Sequence, residues 1–182
     1  MSMLHGGFSV GGMVGAFLGA WALKHMDEFT HTALAGAACL ILLFIAVRFL
    51  LPRSIDKGLS DTHFGWPTRA TIGLGLLCFL ALMAEGSVLD WSAIYFTAEF
   101  KVDAGTAGLG YAFFSGGMAA SRFTGDWLRQ KFGAVPMVVA SALLTAVSIA
   151  LAVSVSSFVT AVVAFTFAGI GIGNIAPVLF AG

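Results

Sequence analysis

Apolar residues run along this chain in long, nearly unbroken stretches. They neither alternate residue by residue nor recur on a single face. A helix needs about 20 mainly apolar residues to cross the hydrocarbon core of a bilayer. Six stretches come near that length: roughly Met3–Leu23, Thr32–Leu51, Ala70–Thr97, Ala104–Ser121, Val135–Val155 and Phe158–Ala181. Only Ser154-Val155-Ser156-Ser157 separates the last two. A closed barrel is excluded, because the stretches are too long and do not alternate. The pattern predicts an all-α polytopic membrane protein with six transmembrane helices.

Composition agrees. The 182 residues are 59% hydrophobic and 10% charged, with a mean hydropathy of +0.97; soluble domains carry about 25% charged residues. The formal net charge is zero, which argues against nucleic acid as a partner, since phosphate binding needs a basic face. Glycine is abundant, 23 residues, and lies mostly inside the apolar stretches. That fits helices packing backbone to backbone in lipid. Gly7, Gly11, Gly15 and Gly19 recur every four residues along one face of the first helix and read as a packing row. Cys39 and Cys78 sit inside apolar runs as small core residues. No basic region precedes the first apolar stretch, so no cleavable leader is expected. His25, Asp27, Glu28 and His31 share one short loop, but their spacing matches no strong metal signature. Neither a metal nor a cofactor is expected.

Charge sets the orientation. The connection around 52–69, with Arg48, Arg53, Lys57 and Arg69, and the one at 122–134, with Arg122, Arg129 and Lys131, hold seven of the nine Lys and Arg. Positive charge marks the cytoplasmic side. Both connections, and with six spans both chain ends, are therefore expected on the cytoplasmic side of an inner membrane. Trp21 and Trp91 lie toward the outer ends of spans, Trp66 and Trp127 toward the inner side, as aromatic belts require. The chain runs almost directly into its first span and stops at or within its last. It reads as an internal piece of a longer polytopic protein.

The stretch Glu85-Gly86-Ser87-Val88-Leu89-Asp90-Trp91 carries the candidate chemistry. For a helix starting near Ala70, Glu85 lies about 22 Å along it, past the middle of the core. A carboxylate there costs about 3 kcal/mol unless it faces a cavity or is protonated. It is either a proton site or a structural acid bonded to a neighbouring helix. Asp90 points about 140° away in a regular helix. Only a break at Gly86-Ser87 would bring both acids to one cavity; otherwise Asp90 is a gate or interfacial group beside Trp91. In the last span, Pro177 cannot donate to the carbonyl of Gly173, and Asn174 sits beside it. Such an interrupted span is a pointer to a transporter's binding site; plain packing is the alternative. His5 is a hydrogen-bonding core histidine or a cavity group.

Gly125, Asp126, Arg129, Lys131 and Gly133 resemble the short cytoplasmic motif of the major facilitator superfamily (MFS) of transporters, with Trp127 where the usual arginine stands. The stretches Met1–Ala16, Ala84–Phe96 and Gly169–Gly182 resemble a bacterial inner-membrane subgroup known as YbjJ-like, distantly similar to fucose-type permeases. The resemblance implies that the spans are the fifth to tenth of twelve. Residues 1–51 would close the N-terminal half, 52–69 form the central loop, and 70–182 begin the C-terminal half. It implies that the third and sixth spans line a shared cavity, with Glu85 and Asn174 facing the same space; Ser87, Asp90 and Trp91 are the further pathway candidates beside Glu85. It also implies that Asp126, with Arg122, Arg129 and Lys131, latches one conformation at the cytoplasmic face. The function it implies is secondary active transport of a small solute by alternating access; the depth of the Glu85 carboxylate in its span adds the expectation of coupling to protons through it. The partners are that solute, protons, the lipid bilayer and the remaining helices of a longer chain. The alternative is a sensor or scaffold with a transporter fold that moves nothing. An intramembrane enzyme ranks last, because no nucleophile–base set is present.

Overall fold

A computed structural model describes residues 2–49, 66 and 68–180, with side chains from His5 onward. The described residues are helical apart from short turns and contain no strand. The helices are α1 (Ser2–Ala22), α2 (Glu28–Val47), α3 (Arg69–Phe100), α4 (Ala104–Phe132), α5 (Ala134–Ser154), α6 (Phe158–Ile172) and α7 (Ile175–Phe180). Four stretches are long and apolar enough to cross a membrane: α2, α3, α5 and α6 continued through α7. Most of the loop at 52–69 lies outside the described residues.

The starts share one local device. Asp27, Thr68, Asp103 and Ser157 are N-caps, and each side-chain oxygen accepts the amide N–H of a threonine three residues on. A helix leaves its first N–H groups unpaired, and a short oxygen-bearing side chain satisfies one. At Asp27 and Asp103 the threonine hydroxyl also donates back, at 2.6 Å in both. These donors, first the hydroxyl and then the amide of Thr30 or Thr106, hold both carboxyls below their ordinary range.

Two expectations about helix continuity are corrected. The fourth helix does not stop at Ser121 but continues to Phe132, so 122–132 is helix rather than loop. Nothing in Arg122–Phe132 breaks a helix, and Arg129 and Lys131 in its last turn suit the negative end of the helix dipole. The expected break at Gly86 is absent: α3 runs unbroken for 32 residues, because a lone glycine weakens a helix by only about 1 kcal/mol. The last span does break, at the turn Gly173–Asn174.

Close approaches give the helix directions. A Cβ placed on Gly105 would meet the Ala20 carbonyl, one on Gly12 the Ser115 and Tyr111 hydroxyls, and one on Gly6 the Phe123 ring. Low numbers on α1 thus meet high numbers on α4, and the two run antiparallel. Gly117 and Gly169 mark where α4 and α6 cross; further along both, Gly173 lies against the Ser121 hydroxyl and Asn174 against Gly125, so α4 and α6 run parallel. Helix α4 is the centre of the bundle, packing on α1, α3, α5 and α6. Helix α2 has no buried residue.

The glycine row of α1 meets little among the described residues. Nothing described lies within 4 Å of a Cβ on Gly7, Gly11 or Gly15, and Gly19 meets only the His31 ring at 3.8 Å. The contact with α4 uses the neighbouring face, with Gly6 and Gly12. Spacing fixes which glycines share a face, but not which face meets a neighbour.

An aromatic cluster joins α3 to α6 near the 101–103 and 155–157 turns. Phe96 is fully buried and meets Phe165 at 5.1 Å and Phe158 at 5.4 Å between ring centres, both edge-to-face, the arrangement that aromatic quadrupoles favour. The Tyr95 hydroxyl donates to the Ala152 carbonyl at 2.9 Å and ties α3 to α5.

Candidate functional site: a buried arginine hub

Arg122 lies on α4, about 27 Å from its N-terminal end at 1.5 Å per residue. Counted from their ends near the same side of the bundle, Ser9, Glu85 and Gly173 lie about 20, 22 and 22 Å along α1, α3 and α6. Four elements therefore bring these residues to one level deep inside the bundle.

The Arg122 side chain is only 3% exposed, and its donors are spread over three elements. Nε donates to the Gly173 carbonyl at 3.0 Å. Nη1 donates to the His5 carbonyl at 3.2 Å and to the Ser9 hydroxyl. Nη2 reaches both oxygens of Glu85, at 3.2 and 3.4 Å. This Arg122–Glu85 contact is an ion pair. Guanidinium carries five N–H donors in a fixed plane and stays charged at any ordinary pH, so it suits a hub facing three directions.

The contact with Gly173 answers a specific need. Pro177 removes the N–H that would have reached the Gly173 carbonyl, and a buried unpaired carbonyl is costly. Arg122 supplies the missing donor. Beside it, the Asn174 amide donates to the Ser121 carbonyl at 2.8 Å. Gly125 leaves room for Asn174, since a Cβ there would collide with its side-chain oxygen. The Ser115 hydroxyl donates to the Ser9 carbonyl at 3.1 Å, a second polar tie between α1 and α4.

The structure thus gathers Glu85, Arg122, Gly125, Gly173, Asn174 and Pro177 into one region. It leaves Ser87, Asp90 and Trp91 on exposed faces of α3; the Ser87 hydroxyl is spent on the Met83 carbonyl. Asp126 is exposed one turn beyond Arg122. Lys131 lies over the Trp127 and Phe132 rings, at 5.0 and 5.3 Å. Arg122 is the principal correction to the reading of the 122–134 segment: it is an interior group rather than part of a surface loop, because α4 carries it on past Ser121. Sequence reasoning missed Ser9, whose hydroxyl sits in a run of glycine and apolar residues; a polar residue there was the available signal. A cleft of about 570 Å³, lined by residues that include Ser121, Thr124, Ser141 and Asn174, opens between α4, α5 and the end of α6. Among the described residues no group of His, Cys, Asp and Glu could hold a metal ion.

These features define a polytopic α-helical membrane protein with a charged hub inside the bundle. The chain is 35% identical over 181 residues, 99% of its own length, to an uncharacterised MFS-type transporter of Yersinia pestis, and covers 47% of that protein. It is 27% identical, again over 99% of its length, to the membrane protein MosC of Rhizobium meliloti, covering 44% of it. An uncharacterised transporter of Sinorhizobium fredii is 28% identical over 114 residues, 63% of this chain and 30% of that protein. The chain spans about half the length of the first two relatives. No family model matches it, and no solved structure matches it.

Proposed function

We propose that this chain is part of a secondary active transporter of the major facilitator superfamily, in the YbjJ-like subgroup of the bacterial inner membrane, that moves a small solute by alternating access. Similarity to an MFS-type transporter along nearly the whole chain supports the family. The mechanism is carried by one observation, the ion pair between Glu85 and the buried Arg122. Charges this deep in apolar helices are costly and usually mark pathways.

In this reading, residues 1–51 belong to one half of the transporter and 70–182 to the other, joined by a cytoplasmic loop at 52–69. The bonds from Arg122 to His5 and Ser9, and from Ser115 to Ser9, then cross between halves. Rocking of the halves about a central site has to break them. A proton on Glu85 cancels the charge that holds one arm of Arg122 and biases the equilibrium between states. Asp126, Arg129 and Lys131 act beyond the hub as the cytoplasmic latch.

The test uses the full-length protein in proteoliposomes. Solute-driven proton uptake is measured for the wild type and for Glu85→Gln. Loss of proton uptake with solute binding retained is the expected result. Normal coupling in the variant would overturn the assignment of Glu85. Binding with no flux in the wild type would replace the transporter with a sensor or scaffold.

A further inference from the structure

We propose that the solute is an organic anion, and that Arg122 takes its negative charge once a proton has neutralised Glu85. This rests on the transporter reading above and names the substrate class of the same site.

The argument is charge balance in a buried place. Three acceptors of Arg122, the Gly173 and His5 carbonyls and the Ser9 hydroxyl, carry no net charge. The counter-charge comes from Glu85. Other titratable groups near this level are few. Helix α1 brings His5, and α4 brings Asp126, which is exposed one turn away. Helices α6 and α7 bring none; Asn174 is neutral. Removing one partner of a buried ion pair leaves an uncompensated charge, a strongly unfavourable state. Two states of the hub avoid it. In one, Glu85 is ionised and paired with Arg122. In the other, Glu85 holds a proton and a second anion sits on the guanidinium. A neutral solute would leave Arg122 unpaired whenever Glu85 is protonated. Proton and monoanion therefore enter together, one to one, and the net charge of the hub is unchanged.

Access and geometry agree. The Glu85 side chain is 18% exposed against 3% for Arg122, so the carboxylate is the more accessible side of the pair. The place it would vacate is the accessible edge of the guanidinium. There Nη2 already meets two carboxylate oxygens at 3.2 and 3.4 Å, and a carboxylate on a solute presents the same pair of acceptors. The proton goes from water onto a Glu85 oxygen, while Arg122 keeps its charge throughout.

The experiment measures binding without transport, on the purified full-length protein in detergent. The probes are acetate, 2-hydroxypropanoate and benzoate, with benzamide as a neutral match for benzoate. Between pH 8 and pH 5, wild-type affinity for at least one anion should rise by up to about tenfold per unit fall in pH, because the competent fraction is the protonated one. Glu85→Gln should bind that anion independently of pH. The double variant Glu85→Gln with Arg122→Gln, which removes both charges and retains the shape, should lose binding altogether. Where Glu85→Gln alone fails to fold, the wild-type pH series and the double variant carry the test. The proposal is overturned if no probe anion binds, if binding ignores pH in the wild type, if the double variant still binds, or if benzamide binds as well as benzoate. A protein that shows the expected binding but no flux refutes the transport reading and leaves the anion site standing.

Discussion

Helices α2 and α4 are opposites in composition and in place. The most apolar window of α2 has a mean hydropathy of 2.1, and none of it is buried. Helix α4 carries Arg122, Asp126, Arg129 and Lys131 together with several serines and glycines. It falls outside the apolar membrane-crossing set, yet among the described helices it has the most buried residues. In water this order would be reversed. In lipid, apolar side chains gain nothing by leaving hydrocarbon for protein, so small residues and polar bonds decide which helix goes inside. Gly117 and Gly169 permit backbone contact between α4 and α6, and Arg122 ties α4 to α1, α3 and the end of α6.

The sharpest way to break this comparison is at the hub. Arg122→Gln should cost about 3–5 kcal/mol, because it strands the Glu85 charge and uncaps the Gly173 carbonyl. Unfolding in mixed micelles measures it. Adding Glu85→Gln should recover much of the loss, so a double variant as unstable as Arg122→Gln alone would show that the ion pair is not the cause. Next comes the aromatic cluster. Phe96→Ala should cost about 3–5 kcal/mol, while Phe44→Ala, on the exposed α2, should change stability by less than about 0.5 kcal/mol. Equal effects would mean that α2 is as much a part of the described core as α3.

Glycines give a finer contrast. Gly117→Ala and Gly169→Ala place a methyl against backbone atoms of the opposite helix and should each cost about 1–3 kcal/mol. Gly11→Ala adds one where nothing described lies within 4 Å, so its effect on the same unfolding assay should stay within about 0.5 kcal/mol. A large loss there would place a further packed element on that face of α1. The smallest effect belongs to the caps. Asp103 is held below its ordinary range by the Thr106 hydroxyl and amide, with help from Lys24. Its folded-state pKa is thus the lower one. The cap contributes fully above the unfolded value and is lost as pH falls through the folded one. Hydrogen exchange at the Thr106 amide should quicken on acidification beyond its intrinsic trend, and Asp103→Ala should abolish that dependence.

Much of the bundle was legible in the residues. Long apolar stretches gave the helices, and Ser157, between two of them, marked a real start. Glu85 stood out because a lone acid in an apolar run has few reasons to be there. Pro177 pointed to the carbonyl of Gly173 by backbone chemistry alone. What was not legible was the group that answers both needs. Arg122 looked like a loop residue because hydropathy falls at Ser121, but falling hydropathy ends an apolar run without ending a helix. The partner of the row Gly7, Gly11, Gly15 was not legible for a related reason: a four-residue period describes one helix and says nothing about its neighbour.

By itself, then, the sequence determined that this chain lies in a membrane, where most of its helices start, and which of its polar groups could not rest unpaired in lipid. These follow from the cost of exposing apolar surface to water and polar groups to hydrocarbon, and that cost is a property of each segment alone. Only the tertiary structure decided which faces meet and which groups satisfy one another. Arg122 and Glu85 are 37 residues apart, and His5 and Gly173 come from opposite ends of the chain. Lipid is as apolar as most of these side chains, so hydrophobicity could not say which of them turn inward; close glycine contacts and a few buried hydrogen bonds did.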